Sequence, residues 1–198
     1  MKESAQSTKI TVDLSSLSPQ WERPASQLAI LPRQPEPGWQ EYFQALMPTP
    51  IHLAATIQSN AARESLYGLL MQQLPAAIQQ HPFTPLWIED MAAVCQAFST
   101  FLNQPTVCFW LGSTRVCSKF HVDKTPYRLL LTYFGPGTEW TLSPLSTVDM
   151  HSSIQRIAPW HVAILQGGAQ GIVHRSPPQH KSSYSILMRL DHPDFLSR

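Results

Sequence analysis

FHVDKTPYRLLLTYFGPGTEW, residues 120–140, sets the fold of the C-terminal half. The run YRLLLTYF is rich in aliphatic and aromatic residues, as β-strands are, and a Gly-Pro-Gly turn separates it from EWTL. Just before the run, His121 and Asp123 stand two residues apart, so in an extended chain their side chains point to the same side. The stretch therefore predicts two strands, with an imidazole and a carboxylate on the same side of the chain just before the first strand.

The rest of the chain after Pro105 has the same short apolar segments, each bounded by Gly, Pro or Ser. No helical pattern separates these segments, which favours an antiparallel sandwich or barrel over a parallel sheet. The six predicted strands are TVCFWLG (106–112), YRLLLTYF (127–134), EWTL (139–142), HVAILQGG (161–168), GIVHR (171–175) and YSILMRLD (184–191).

The residue pattern of the N-terminal half differs from that of the C-terminal half. Residues 1–38 contain five prolines and predict an extended or partly disordered arm, with one candidate strand in LAIL (28–31). The segment 39–47 predicts a helix, and the Ala, Leu and Gln content of 52–81 predicts helix interrupted near Pro75. In 85–102, apolar residues recur at steps of three and four, which predicts a third, amphipathic helix.

These patterns predict an α+β fold in a single domain, residues 39–198. A mainly helical N-terminal half (39–105) would pack on a β-rich core (106–192), an antiparallel double-stranded β-helix of the jelly-roll or cupin-like type.

Composition narrows the classes of partner. The chain has 198 residues and a formal net charge of +1, with no run of basic residues, which argues against a nucleic-acid partner. We find no apolar stretch long enough to span a membrane. Three cysteines and a polar N-terminus without a signal segment favour the cytoplasm. The oligomeric state is left open.

His174, in GIVHR, is the best third ligand for a metal held by His121 and Asp123. Two imidazoles and one carboxylate on one side of a metal leave open positions for substrate and dioxygen, as in non-haem Fe(II) sites. The distal His near the penultimate strand is also the order found in double-stranded β-helix oxygenases. The simpler alternative is three polar residues satisfied by hydrogen bonds.

Cys117 opens a second interpretation. It lies four residues before His121 and is a candidate fourth ligand, which would close the site around Zn(II) in a structural role. A buried neutral thiol is the plainer interpretation of this cysteine. A third hypothesis has no metal and makes the β-core an interaction module.

The motifs FHVDKTPYRLLLTYFGPGTEW, VAILQGG and VHRSPP resemble the bacterial family designated domain of unknown function 1826. The resemblance covers the chain from about Trp39 onward. It implies a metal core similar to those of cupins and 2-oxoglutarate oxygenases, and an association with bacterial zinc-homeostasis genes. It therefore supports both an Fe(II) dioxygenase and, as the alternative, a non-catalytic zinc-binding protein.

The similarity to oxygenases raises the question of a 2-oxoglutarate anchor. Many such enzymes place an arginine ten or eleven residues after the distal His, but Tyr184 and Ser185 stand there in this chain. The candidate anchors for 2-oxoglutarate or substrate are Arg128, Arg175 and Arg189. The candidate pocket residues are Tyr133, Glu139 and Trp140. The plainer alternative for Arg128 is a side chain that faces away from Asp123 and pairs with Glu139 at the surface. The substrate would be a small molecule or a protein side chain.

Overall fold

The computed structural model describes residues 13–14, 27–47, 49–113, 117–149, 151–178 and 184–195. In this part of the chain, four α-helices and two antiparallel sheets form a mixed α/β fold. The helices are α1 (Trp39–Leu46), α2 (Ala62–Met71), α3 (Ala76–Gln79) and α4 (Phe83–Leu102). The strands are β1 (Leu28–Leu31), β2 (His52–Gln58), β3 (Thr106–Gly112), β4 (Tyr127–Phe134), β5 (Thr138–Thr141), β6 (Gln155–Ile157), β7 (Val162–Gln166), β8 (Val173–Arg175) and β9 (Ile186–Asp191).

The larger sheet has the strand order β1-β7-β4-β9-β3-β2, and the smaller sheet has the order β6-β5-β8. From β4 onward the chain moves between the sheets: β4, β7 and β9 belong to the larger one, and β5, β6 and β8 to the smaller one. A small apolar cluster that includes Leu130, Ile157 and Ile172 joins residues of β4 and β6 with the residue before β8. The cluster therefore contains residues of both sheets.

Side chains of β4 alternate between two environments, as expected for a strand buried on both faces. Leu129, Leu131 and Tyr133 belong to the main apolar core, which also contains residues of α1, α2 and α4. Leu130 belongs instead to the small cluster with residues of β6 and β7. Arg128 is two residues before Leu130, so its side chain lies on the same face of β4 as that of Leu130. This face is opposite the one that packs into the main apolar core.

The segment 52–58 was predicted to be helical, and this prediction is wrong. It forms β2, which pairs with β3 from His52 opposite Gly112 to Gln58 opposite Thr106. Leu53 and Ile57 are buried on alternate positions between exposed neighbours. Because β2 can bury these residues against a long partner strand, tertiary pairing overrides the helix propensity of the segment's alanines.

The strand expected in LAIL is confirmed: β1 pairs with β7, with Leu28 opposite Leu165. Most of the proposed arm, residues 1–12 and 15–26, lies outside the described residues, so its extended character stays a prediction. Sequence reasoning missed β6, whose three residues carry too short a pattern to detect. Among the described helices, none is both long enough and apolar enough to cross a membrane.

Candidate metal centre

Backbone pairing brings His121 and His174 together. They form an isolated antiparallel bridge in which each amide N–H donates to the other residue's carbonyl, at 3.0 and 2.9 Å. Directly opposed residues of antiparallel strands present their side chains on the same face. The two ring centroids accordingly lie 4.4 Å apart. The sequence expectation that the β8 segment returns beside the His-x-Asp pair is met in the structure.

Both imidazoles are oriented by the backbone. Nδ1 of His121 lies 2.9 Å from the Lys119 carbonyl, and Nδ1 of His174 lies 3.1 Å from the Ile172 carbonyl. A carbonyl can only accept, so each Nδ1 carries a proton, and in the neutral ring the lone pair is then on Nε2. Burial lowers the pKa of His174 and outweighs the opposing effect of Asp123, which favours the neutral ring that ligates metals.

Asp123 completes the group. Its Oδ2 lies 3.3 Å from Nε2 of His174, and its Oδ1 lies 3.8 Å from Nε2 of His121. The ligand atoms of the three residues all fall within 4.8 Å of one another. Oδ2 is buried and accepts no hydrogen bond from the described residues. An unpartnered buried carboxylate oxygen is costly, and a divalent cation between it and the two Nε2 atoms would satisfy it.

The loop that carries Asp123 packs tightly against the end of β7. The Asp123 carbonyl accepts a hydrogen bond of 2.8 Å from the amide of Gly168. A Cβ at Gly167 would lie 2.1 Å from the Thr125 carbonyl oxygen and 2.6 Å from that of Asp123. Only glycine allows this approach, which fixes the main chain at the carboxylate.

Arg128 does not form the surface pair with Glu139 that the sequence suggested. Its guanidinium contacts Asp123 Oδ1 through Nη1 and holds Asp191 by two bonds, of 2.7 Å from Nε and 3.1 Å from Nη2. The reason is register: Arg128 on β4 lies directly opposite Asp191 on β9. The side chain is 17% exposed and bridges two buried carboxylates.

Glu139 instead binds two other arginines. It faces Arg175 across the β5–β8 pair and accepts 2.8 Å from Arg175 Nε and 3.0 Å from Arg156 Nη2. Burial works against its ionisation, but the hydrogen bonds from Arg175 and Arg156 prevail and lower the pKa of Glu139. The Arg175 guanidinium carbon also lies 4.1 Å from the centroid of the Phe120 ring. Arg175 is therefore held on two sides.

The ligand group borders a small cleft of about 40 Å³. Volume of that order accommodates one or two water molecules. His121 is the ligand nearer to solvent, since 34% of its side chain is exposed against 5% for His174. The cleft is lined by Cys117, His121, Arg128, Leu130, Thr138, His174, Arg175, Ser176 and Leu187. The sequence analysis did not predict Thr138 and Ser176 as cleft residues. The position of Thr138 in the strand β5 and that of Ser176 next to Arg175 could have indicated this role.

Two predicted pocket residues, Tyr133 and Trp140, and one predicted anchor, Arg189, do not line the cleft. Tyr133 is on the helix-side face of β4, where its hydroxyl donates 2.7 Å to Asp90, so it does not line the cleft. Trp140 lies opposite His174 in the small sheet and packs on the small apolar cluster. Arg189 lies 5.4 Å from the Trp110 ring centroid, with Nε 3.1 Å from Asp191 but not oriented to donate.

Cys117 lines the cleft without joining the ligand group. Its Sγ lies 3.4 Å from the Lys119 carbonyl, to which the thiol donates. The convergent atoms in the described chain belong to His121, Asp123 and His174 alone. The described residues therefore assemble no closed four-ligand zinc set. Cys95, by contrast, lies in the core, where burial raises the pKa of its thiol and keeps it unreactive.

Comparisons with known proteins were made on the sequence and on the fold. The profile of a family described as "Protein of unknown function (DUF1826)" matches residues 13–191, which confirms the resemblance drawn from the motifs. No curated protein matches the sequence significantly.

Among solved structures, a bsmA homolog from Methylobium petroleophilum PM1 aligns with a TM-score of 0.47 and 11% identity, over 92% of this chain and 94% of that one. Dioxygenase for auxin oxidation 1 from Arabidopsis thaliana aligns at 0.41 and 12%, over 82% and 67%. A Pseudomonas putida prolyl-4-hydroxylase aligns at 0.41 and 8%, over 84% and 92%. At these identities and TM-scores, the similarities support no inference about reaction or substrate.

Proposed function

The chain belongs to the DUF1826 family, and because that membership assigns no reaction, we propose from the site itself that the protein is an Fe(II)-dependent oxygenase-like enzyme. His121, Asp123 and His174 would hold the metal. The movement of the chain between two antiparallel sheets supports interpreting the β-core as a double-stranded β-helix.

The observation that carries this proposal is the buried Oδ2 of Asp123, which has no hydrogen-bond donor among the described residues. The same oxygen lies 3.3 Å from an imidazole nitrogen whose lone pair is free. Two imidazoles and one carboxylate, with no thiolate in the group, form the donor set that suits non-haem Fe(II). When bound, Fe(II) would supply the activation of dioxygen.

Arg175 is the best placed of the three arginines to bind one carboxylate of an anionic organic ligand, the rest of which would extend out of the small cleft. Its Nε is engaged by Glu139, and the residue lines the cleft beside the ligand group. Arg128 has three nitrogens committed to two carboxylates, and Arg189 does not line the cleft. We therefore assign to Arg175 the carboxylate of a 2-oxo acid such as 2-oxoglutarate, which a guanidinium can bind by a bidentate fork.

The chain's own residues would divide the remaining work. Glu139 and the Phe120 ring hold the Arg175 side chain at the cleft. The Lys119 and Ile172 carbonyls keep both histidines in the tautomer that presents Nε2. The substrate, a small molecule or a protein side chain, would approach from the side of His121, which is the exposed side of the ligand group.

The first experiment measures metal. Wild-type protein reconstituted with Fe(II) under anaerobic conditions should retain about one equivalent after desalting, and a His121→Ala, His174→Ala double variant should retain almost none. His151→Ala is the matched control, because His151 is exposed in the β5–β6 connection, and it should retain metal like the wild type. Wild type without stoichiometric iron, or a double variant that keeps it, would contradict the site.

The second experiment tests the organic ligand. Adding 2-oxoglutarate to the anaerobic Fe(II) protein should produce a visible charge-transfer band, and exposure to air should yield succinate. The Arg175→Gln variant should bind Fe(II) normally but need at least tenfold more 2-oxoglutarate for the same band. Arg156→Gln, which removes the other arginine on Glu139, is the control. A normal iron content without any charge-transfer band would agree with the metal centre but would refute the binding of a 2-oxo acid.

A further inference from the structure

Asp191, the last residue of β9, is connected to the metal centre through Arg128. The Asp191 side chain is 5% exposed and accepts hydrogen bonds of 2.7 Å from Nε and 3.1 Å from Nη2 of Arg128. Register fixes this pairing, since Arg128 on β4 lies directly opposite Asp191. Asp191 is therefore held where it can act on Asp123 through one intervening guanidinium.

The guanidinium of Arg128 divides its donors unequally between the two carboxylates. Nε and Nη2 form one edge of the planar group, and both donate to Asp191. Nη1 donates to Asp123, at Oδ1. An arginine and a carboxylate tend to pair by two parallel hydrogen bonds, which would engage both oxygens of Asp123. Because Asp191 occupies the Nε–Nη2 edge, Asp123 receives one of these bonds rather than two.

The oxygen that Arg128 leaves free is the one that faces His174. Oδ2 of Asp123 lies 3.3 Å from Nε2 of His174 and receives no donor from the described residues. A second guanidinium nitrogen on Oδ2 would occupy the position that a cation needs. The unequal division of the Arg128 donors therefore keeps this ligand oxygen available.

A second guanidinium near Asp191 does not replace that of Arg128. Nε of Arg189 lies 3.1 Å from Oδ2 of Asp191 but is not oriented to donate a hydrogen bond. The Arg189 guanidinium carbon lies 5.4 Å from the ring centroid of Trp110, and 30% of the side chain is exposed. Arg128, rather than Arg189, is therefore the residue through which Asp191 can act.

From these contacts, and resting on the metal centre proposed above, we propose that Asp191 is a positioning residue for the metal. By occupying the Nε–Nη2 edge of Arg128, it keeps the guanidinium from capturing both oxygens of Asp123. Without the Asp191 carboxylate, the freed edge would turn onto Asp123 and compete with Fe(II) for Oδ2. Both carboxylates are buried, so little water competes with them for the guanidinium.

Anaerobic titration of Fe(II) against a colorimetric chelator measures the affinity of each variant. Asp191→Asn should weaken Fe(II) binding about tenfold, because Arg128 then takes the ligand oxygen. The double variant Asp191→Asn, Arg128→Lys has the same net charge but no fork, since an ammonium is a point donor, and should recover to within about threefold of wild type. Asp194→Asn, whose side chain is 84% exposed, is the control for the lost charge and should bind like wild type.

Equal Fe(II) affinity in Asp191→Asn and wild type would overturn the role of Asp191 and leave the metal centre intact. A double variant that binds no better than Asp191→Asn would also overturn it, because the loss would then come from charge or packing rather than from the fork. Wild-type protein without stoichiometric iron would refute both proposals. Near-UV circular dichroism checks the fold of each variant.

A second measurement needs no substitution and decides the matter if Asp191→Asn does not fold. Crystals of the wild type are soaked with Mn(II), and the ion is located by anomalous scattering. We expect the cation at Oδ2 of Asp123, with Oδ1 still held by Arg128 and both Nε and Nη2 still on Asp191. A cation bound by both oxygens of Asp123, or an Arg128 side chain displaced from Asp191, would overturn the proposal.

Discussion

Asp123 has two carboxylate oxygens in different surroundings. Oδ1 receives the guanidinium of Arg128, whereas Oδ2 receives no donor from the described residues and faces His174. Arg128 also binds Asp191, so one guanidinium balances two buried carboxylates. Arg189 lies near the same pair, and burial together with Arg128 lowers its pKa. Asp123 therefore has one oxygen bound to Arg128 and one oxygen free for a cation.

At the residue scale we predict that Arg128→Gln lowers the free energy of unfolding by about 3 kcal/mol in metal-free buffer, because it leaves two buried carboxylates without their shared cation. Urea denaturation measures the loss. Arg63→Gln is the control, since Arg63 and Glu89 form an exposed pair with side chains 55% and 39% accessible. That change should stay within about 0.5 kcal/mol. Similar losses of unfolding free energy in the two variants would show that the Arg128 bridge stabilises the fold no more than an exposed ion pair does.

At the element scale, the short strand β8 and the loop 121–126 carry the ligands. β8 has three residues, pairs with β5 on one side and meets His121 on the other. A short strand between two partners has little freedom to change register, so His174 stays opposite His121. The loop is held in turn by the amides of Gly167 and Gly168, which donate to Pro126 and Asp123.

We predict that Gly167→Ala weakens Fe(II) binding on the order of tenfold, because the added Cβ would collide with the Thr125 and Asp123 carbonyls and displace the carboxylate. Gly68→Ala is the control. Gly68 lies inside α2, and a Cβ there would meet nothing within 4 Å. The control should keep wild-type iron affinity and gain about 0.5–1 kcal/mol in unfolding free energy. Unchanged iron affinity in Gly167→Ala would contradict the proposed role of this contact.

At the scale of the whole molecule, Asp90 links distant parts of the chain. Its carboxylate on α4 accepts hydrogen bonds from Arg33, which follows β1, and from Tyr133 on β4. Arg33 continues the link to the Trp160 carbonyl before β7. Asp90 is 4% exposed, so these bonds form where little water competes with them.

Asp90→Asn should therefore lower the free energy of unfolding by about 2–3 kcal/mol, since it removes the charge that Arg33 pairs with. Its neighbour on α4 provides the comparison: Glu89→Gln alters an exposed ion pair and should cost less than about 0.5 kcal/mol. Chemical denaturation of both variants gives the difference. Equal stabilities would mean that the Asp90 link contributes no more than a surface pair.

The sequence by itself determined the local features. The aliphatic and aromatic content of YRLLLTYF, the breaks at glycine and proline, and the two-residue spacing of His121 and Asp123 are all properties of neighbouring residues. These features predicted six of the C-terminal strands, and they selected the three residues whose ligand atoms converge in space. The helix 85–102 was equally visible from its apolar spacing.

Only the tertiary structure decided which groups meet across strands. The pairing of Arg128 with Asp191, the place of Tyr133 on the far side of β4, and the strand at 52–58 all depend on register and on partner strands remote in sequence. Periodicity within one segment fixes which residues share a face, but not which partner covers that face. Hence the ligand residues could be found in the sequence, whereas the backbone contacts that orient their rings and the orphaned carboxylate oxygen could not.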